Sequence, residues 1–303
     1  MYLLQNKMRL SYTIIASLIC TLLMGQQSPT MDNYLFNPIA ISPATAGQQV
    51  ANFQTIYDAQ WVGIKGAPRT AAAFYDHQTP TRFGFNIGMI QDKVGPMVTQ
   101  SLGISTAYHL QVSDRVYLST GIRYTLAQTS VDILDEFYVD KIDQSIYDIA
   151  TPWLQNVDLS TNLYGDDWFL GLAVKNVVKS EIYLNNYTAR VWHMLAGKSF
   201  DLNEKYTLKT SMLLNVSENS PVDVNLHGYV EYQEKYGLGL NISPYDEIGL
   251  FYMVELPEDM RLFYQYNYPL SDLIFITQQS HVLGLGVDLS AKSKSVVSPK
   301  YFL

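Results

Sequence analysis

From residue 50 onward, apolar and polar positions alternate with a period of two through about fourteen segments of strand length. In 222–231, Val222, Val224, Leu226, Gly228 and Val230 share one face, and Asp223, Asn225, His227, Tyr229 and Glu231 share the other. In 206–216, Tyr206, Leu208, Thr210, Met212, Leu214 and Val216 oppose Lys209, Ser211 and Asn215. In 101–111, Leu102, Ile104, Thr106, Tyr108 and Leu110 oppose a face of small and polar residues that includes His109. Segments 116–126, 248–254, 262–268 and 281–289 follow the same rule, and the strand reading is thinnest at 154–164 and 168–175. Segments of about ten residues suit a tilted crossing of a bilayer.

The connections alternate as well. Long ones are expected at 62–68, 92–98, 131–153, 176–188, 217–221, 243–246 and 269–279, and short ones at 78–81, 112–114, 165–167, 201–204, 232–235 and 256–259. Turn chemistry marks the short set: Ser113-Asp114, Gly165-Asp166-Asp167, Asp201-Leu202-Asn203-Glu204 and Pro257-Glu258-Asp259. Hairpins tight at one end and loose at the other predict an all-β fold, a transmembrane antiparallel outer-membrane β-barrel of about 14 strands. An even strand number puts both barrel ends in the periplasm and the long loops outside the cell. Acid-rich loop 131–153 is the longest of them.

Alternation by itself leaves a soluble sandwich open, with its apolar face inward. Three further features favour the membrane. Residues 1–25 read as a signal peptide, with Lys7 and Arg9 ahead of an apolar stretch from Ile14 to Met24, and cleavage is expected after Gly25. A lipoprotein reading at Cys20 is weaker, because Leu18 and Ile19 precede it. Cys20 is the only cysteine, so the mature chain would have no disulfide to lean on. The 23 tyrosines are an excess, and aromatics fall near strand ends at Tyr57, Trp61, Tyr75, Trp168, Tyr206, Tyr236, Tyr266 and Tyr268.

The predicted organisation is therefore signal peptide 1–25, N-terminal segment 26–48, barrel 49–290 and tail 291–303. Residues 26–48 do not alternate, and Pro29, Pro38 and Pro43 forbid regular strand pairing. Their apolar residues Tyr34, Leu35, Phe36, Ile39 and Ile41 call for burial, and the segment is expected at or in the periplasmic mouth.

The formal net charge of −8 becomes −10 once Lys7 and Arg9 leave (18 basic against 28 acidic residues), which argues against a nucleic-acid partner. The five histidines, His77, His109, His193, His227 and His281, sit on five different predicted strands without ligand spacing. No metal, cofactor or catalytic residue is expected, although placement alone leaves a hydrolase borne on a barrel open. Arg123, Lys209, Asp223 and Glu231 fall on the lumen side. They would set ion selectivity in a porin, or else pair with one another or tether the N-terminal segment.

Residues 34–47, YLFNPIAISPATAG, resemble the N-terminal signature of the PorP/SprF family, outer-membrane proteins of the type IX secretion system. The matching positions are Tyr34, Phe36, Asn37, Pro38, Pro43, Ala44, Ala46 and Gly47. A second block resembles the family through Gln60, Trp61, Gly63, Gly66, Ala67, Pro68 and Thr70, and a third spans Asp92, Lys93, Val94, Gly95 and Pro96. Tyr108-His109, Ser271-Asp272-Leu273, Ser280-His281 and the terminal Ser298–Phe302 add to it, although Leu303 follows the closing aromatic.

The resemblance implies a non-enzymatic role in the cell outer membrane. Such a protein would assist export or surface anchoring of specific cargo, such as adhesins of gliding bacteria that carry a C-terminal sorting domain. Its partners would be other type IX secretion components, that cargo and outer-membrane lipid. A passive outer-membrane porin or hydrophobic-solute channel is the alternative.

Overall fold

A computed structural model describes residues 34–48, 51–131, 149–150, 152–178, 180–183, 186–218, 220–244, 246–277 and 279–289. The predicted signal peptide, residues 26–33, acidic residues 132–148 and the terminal Ser298–Leu303 lie outside the described residues. Glu181–Tyr183 pairs with Asn186–Tyr187 in a separate ribbon, and the remaining described strands form one fifteen-member antiparallel sheet, of which the two-residue piece Ile149–Ala150 is a rim addition. The other fourteen are β1 (Ala51–Ala59), β2 (Arg69–Gln78), β3 (Phe83–Val94), β4 (Met97–Ser113), β5 (Val116–Val131), β6 (Leu154–Tyr164) and β7 (Trp168–Lys175). They continue as β8 (Val191–Asp201), β9 (Tyr206–Ser217), β10 (Asp223–Tyr232), β11 (Tyr236–Ser243), β12 (Glu247–Leu256), β13 (Met260–Pro269) and β14 (Ser280–Asp288). Each pairs with its chain neighbours, and β1 pairs with β14 from Asn52↔Asp288 to Ala59↔His281, which closes the barrel.

The faces decide between sandwich and membrane barrel. On β11, outward Leu240 is 47% exposed while inward Asn241 is 0% exposed. A soluble sandwich would bury the leucine, whereas a barrel in lipid turns it outward. The same phase runs through β10, where Asn225, His227 and Glu231 are buried and Leu226 and Val230 exposed. Tyr57, Tyr75, Tyr206 and Tyr236 lie outward near strand ends.

Two connections read as long are tight. Strands β3 and β4 run on to Val94↔Met97, leaving a two-residue hairpin at Gly95-Pro96 in place of a loop over 92–98. Gly95 (φ +56°) supplies the left-handed position at the start of that turn, which explains why glycine stands there. Ser243↔Glu247 closes the next short connection, in place of a long loop over 243–246. The remaining long connections stand opposite the six short ones. Strand length is uneven: β4 and β5 have 17 and 16 residues against 8 in β11.

Residues 34–48 cross the lumen in the half of the barrel that carries the short turns. Two 3₁₀ turns shape the crossing, Pro38–Ala40 and Pro43–Thr45, each opened by a proline whose fixed φ suits the first helical position. The turns satisfy much of the backbone internally, for example Ile41 N–H to Pro38 O (3.1 Å) and Ala46 N–H to Pro43 O (3.1 Å). That internal pairing lets an irregular segment be buried without orphaned amides.

Candidate functional site: the occupied lumen and the motif-built rim

The crossing segment is held by groups from many strands. Tyr34 donates its hydroxyl to Ser211 on β9 (2.6 Å) and meets His227 edge-on (4.8 Å). Phe36 stacks on Phe263 (5.3 Å), over Gly284, where an added Cβ would stand 2.7 Å from the ring. Ser42 donates to Asn162 (3.0 Å), Ala44 N–H to Ser160 Oγ (2.6 Å), and Gly47 N–H to both oxygens of Asp76 (2.9 Å). Ser119 donates to Ala44 O. His109 Nε2 lies 2.7 Å from Ala46 O and must donate there, so neutral His109 accepts at Nδ1 from the Tyr164 hydroxyl (3.0 Å).

Glycines let the backbones approach. A Cβ on Gly121 would sit 2.4 Å from Ala44 N, and one on Gly84 would sit 1.9 Å from Ala46 O. Close approach of this kind is what glycine permits in a strand.

Arg123 on β5 is the central clamp. Its guanidinium donates to the carbonyls of Ile39 and Ala40 (3.1 Å to the latter) and to Ser105 Oγ (3.1 Å), and lies 3.5 Å from Asp158. Lys209 pairs with Glu231 (3.2 Å), and Asp223 accepts from Asn215 and Asn225. Of the two sequence readings of these charges, mutual pairing and tethering is what the structure displays. At this level Tyr34, Phe36, Ala44 and Ala46 are 0% exposed, and Tyr229, Phe251, Met253 and Phe263 from the wall are almost as buried. The lumen is filled here.

A second convergence lies at the opposite rim. The β1–β2 loop is drawn to β14 by Trp61 N–H to Ser280 Oγ (3.0 Å) and Val62 N–H to Gln279 O (2.9 Å). Gly95 N–H, in the β3–β4 hairpin, donates to Gly66 O (2.8 Å), and Thr70 Oγ1 donates to Asp92 (2.6 Å). Arg69 caps the loop carbonyls of Gln60 and Pro68 (2.8 Å to the latter), and Gly63 and Gly66 take positive φ (101° and 75°). Trp61, Gly66, Pro68, Gly95 and Pro96 thus belong to one rim structure, with the Trp61 side chain half-buried. Tyr34, Phe36, Asn37, Pro38, Pro43, Ala44 and Gly47 belong to the lumen segment. Sequence reasoning did not bring Asp158, Ser119, Ser160, Asp76 and Phe263 to that segment. Their only sequence signal was an inward position on an alternating strand.

The rim also presents apolar surface. Phe275 and Ile276, in the loop between β13 and β14, are 86% and 71% exposed. Among the described residues, no three His, Cys, Asp or Glu side chains could hold a metal ion. His109, His193 and His281 bond to a carbonyl, an asparagine or tyrosines, and none of these bonds reaches a serine.

A family model described as the type IX secretion system membrane protein PorP/SprF matches residues 23–287. The chain belongs to the PorP/SprF family. A PorP/SprF protein with this barrel resides in the outer membrane, and the lumen segment and the rim cluster both fall within the matched span.

No curated protein matches the chain. Solved structures similar to it include the CymD monoaromatic hydrocarbon channel (9% identity, TM-score 0.49, covering 83% of this chain and 91% of that one). Others are a Pseudomonas aeruginosa FadL homologue (10%, 0.45, 78% and 89%) and the TodX deltaS2S3 mutant monoaromatic hydrocarbon channel (9%, 0.46, 87% and 95%).

Proposed function

We propose that this PorP/SprF barrel is a non-enzymatic component of type IX protein secretion that assists export or surface anchoring of specific cargo bearing a C-terminal sorting domain. It would act with other secretion components and present its outer rim to the cargo. The observation that carries the reading is the occupied lumen. A barrel whose lumen is occupied by its own residues 34–48 offers its rim as a docking platform rather than its interior as a route. The rim supports the reading: three separate chain segments are cross-bonded there, with Phe275 and Ile276 exposed beside them.

The test is deletion of the gene followed by quantitative comparison of surface and secreted proteomes. Loss of one or a few sorting-domain proteins from the surface, restored by complementation, is the expected result. Unchanged surface and secreted fractions would overturn the proposal. Purified protein in planar bilayers should be electrically silent, and a stable conductance would favour the passive-channel alternative.

A further inference from the structure

On the lipid-facing wall, β5 to β9 enclose a shallow apolar groove whose sides are Leu118, Leu163, Leu170, Met194 and Met212. Ala196 on β8 also lines it. In register, Ala196 lies between Leu170 on β7 and Met212 on β9, so one methyl stands where both neighbours carry long side chains. Two residues toward the short turns, on the same outward face and about 7 Å along the strand, comes Lys198. Its ammonium is 3.7 Å from Asp167, with side chains 52% and 55% exposed, and it also lies 5.5 Å from the centre of the Phe200 ring. A pair this exposed is only loosely held, and its members can exchange partners. Trp168, in register with Lys198, places an indole at the same depth.

We propose that this groove binds one phospholipid of the periplasmic leaflet, an acyl chain lying over Ala196 and a zwitterionic headgroup meeting the Lys198–Asp167 pair. A dent in a wall facing lipid forfeits dispersion contacts unless a chain settles into it. A flexible acyl chain fits a groove one side chain wide. The two charges of opposite sign select the head. Its phosphate meets Lys198 and its ammonium meets Asp167, whereas an anionic lipid would satisfy the lysine and face the aspartate unfavourably. Short turns face the periplasm in such barrels, which assigns the leaflet. The proposal is independent of the cargo role.

The test uses the full-length protein extracted from outer membranes in mild detergent, with native mass spectrometry and lipid extraction. It compares wild type, Ala196→Leu, Asp167→Asn and Ala71→Leu, the last an outward-facing change on β2 away from the groove. Wild type and Ala71→Leu should each retain one phosphatidylethanolamine-type lipid, and Ala196→Leu should retain about tenfold less. Leucine on a lipid-facing position leaves the barrel able to fold, and heat-modifiability on gels checks this. Offered an equal mixture of phosphatidylethanolamine and phosphatidylglycerol, wild type should prefer the former, and Asp167→Asn, which keeps Lys198 for the phosphate and removes the partner of the ammonium, should lose the preference. The proposal is overturned if wild type emerges without lipid, if Ala196→Leu holds as much as wild type, if Asp167→Asn keeps the preference, or if the occupant is lipopolysaccharide or a second protein.

Discussion

Removing Arg123 tests how the lumen segment is held. Arg123→Ala deletes charge-assisted bonds to the Ile39 and Ala40 carbonyls and the bond to Ser105, and it breaks the ion pair to Asp158, 3% exposed, which keeps Lys175 as a neighbouring cation. Stranding one member of a buried ion pair costs about 3–5 kcal/mol. Asp158 keeps the Asn176 N–H bond (2.9 Å), which argues for the lower end of that range. Each lost bond to a charged donor adds about 1.5–3 kcal/mol of local destabilisation.

The sum is comparable to the whole margin of a typical domain, but much of it falls on residues 34–48 rather than on the strand ladder. The expected signature is therefore split. The barrel still assembles and shows heat-modifiable migration, while residues 34–48 become accessible to protease and bilayer recordings show intermittent conductance. Arg123→Met with Asp158→Asn, which removes both members of the pair, should recover part of the loss. If Arg123→Ala stays silent, protease-resistant and as heat-stable as wild type, the clamp has been misread.

Further outcomes follow from the same contacts. Phe36→Ala empties a fully buried site stacked on Phe263 and should cost about 3–5 kcal/mol, read as a lowered thermal midpoint, while half-buried Trp61→Ala should cost clearly less. Gly121→Ala would press a methyl to 2.4 Å from Ala44 N and should destabilise by about 1–3 kcal/mol, whereas Gly228→Ala, with nothing within 4 Å, should be neutral in the same melt. In the turn after β11, burial and then the neighbouring Asp223 carboxylate push Asp246 above the usual range. The fold therefore favours its protonated form. The associated stability is present in acid and fades as pH rises through the raised pKa, and Asp246→Asn should flatten that slope in thermal melts across pH.

The wall of the barrel was legible because a strand in lipid writes its two faces into every second residue. His227 and Leu226 could be assigned to opposite faces from their neighbours alone. Loop lengths were legible only where turn residues were dense. At 92–98 the polar, glycine-bearing stretch read as a loop, yet one positive-φ glycine followed by proline closes the hairpin and lets both strands continue. Burial of residues 34–48 could be anticipated from apolar residues among prolines, but their partners could not. Arg123 binds carbonyls exposed by a 3₁₀ turn, and Ser119, Ser160 and His109 bind further backbone groups of the segment, which no side-chain pattern encodes. The rim cluster became visible through register, which sets Thr70 opposite Asp92.

The central claim is that a barrel with an occupied lumen serves secretion from its rim. Ala44 N lies 2.6 Å from Ser160 Oγ, and Cys20, within the predicted signal peptide, is the only native cysteine. Ala44→Cys with Ser160→Cys should therefore lock the lumen segment to β6 through one disulfide. The decisive measurement is surface cargo in a deletion strain complemented with this variant, with and without reductant. The account predicts full surface display with the segment locked. Cargo lost in the oxidised protein and restored by reduction would contradict it.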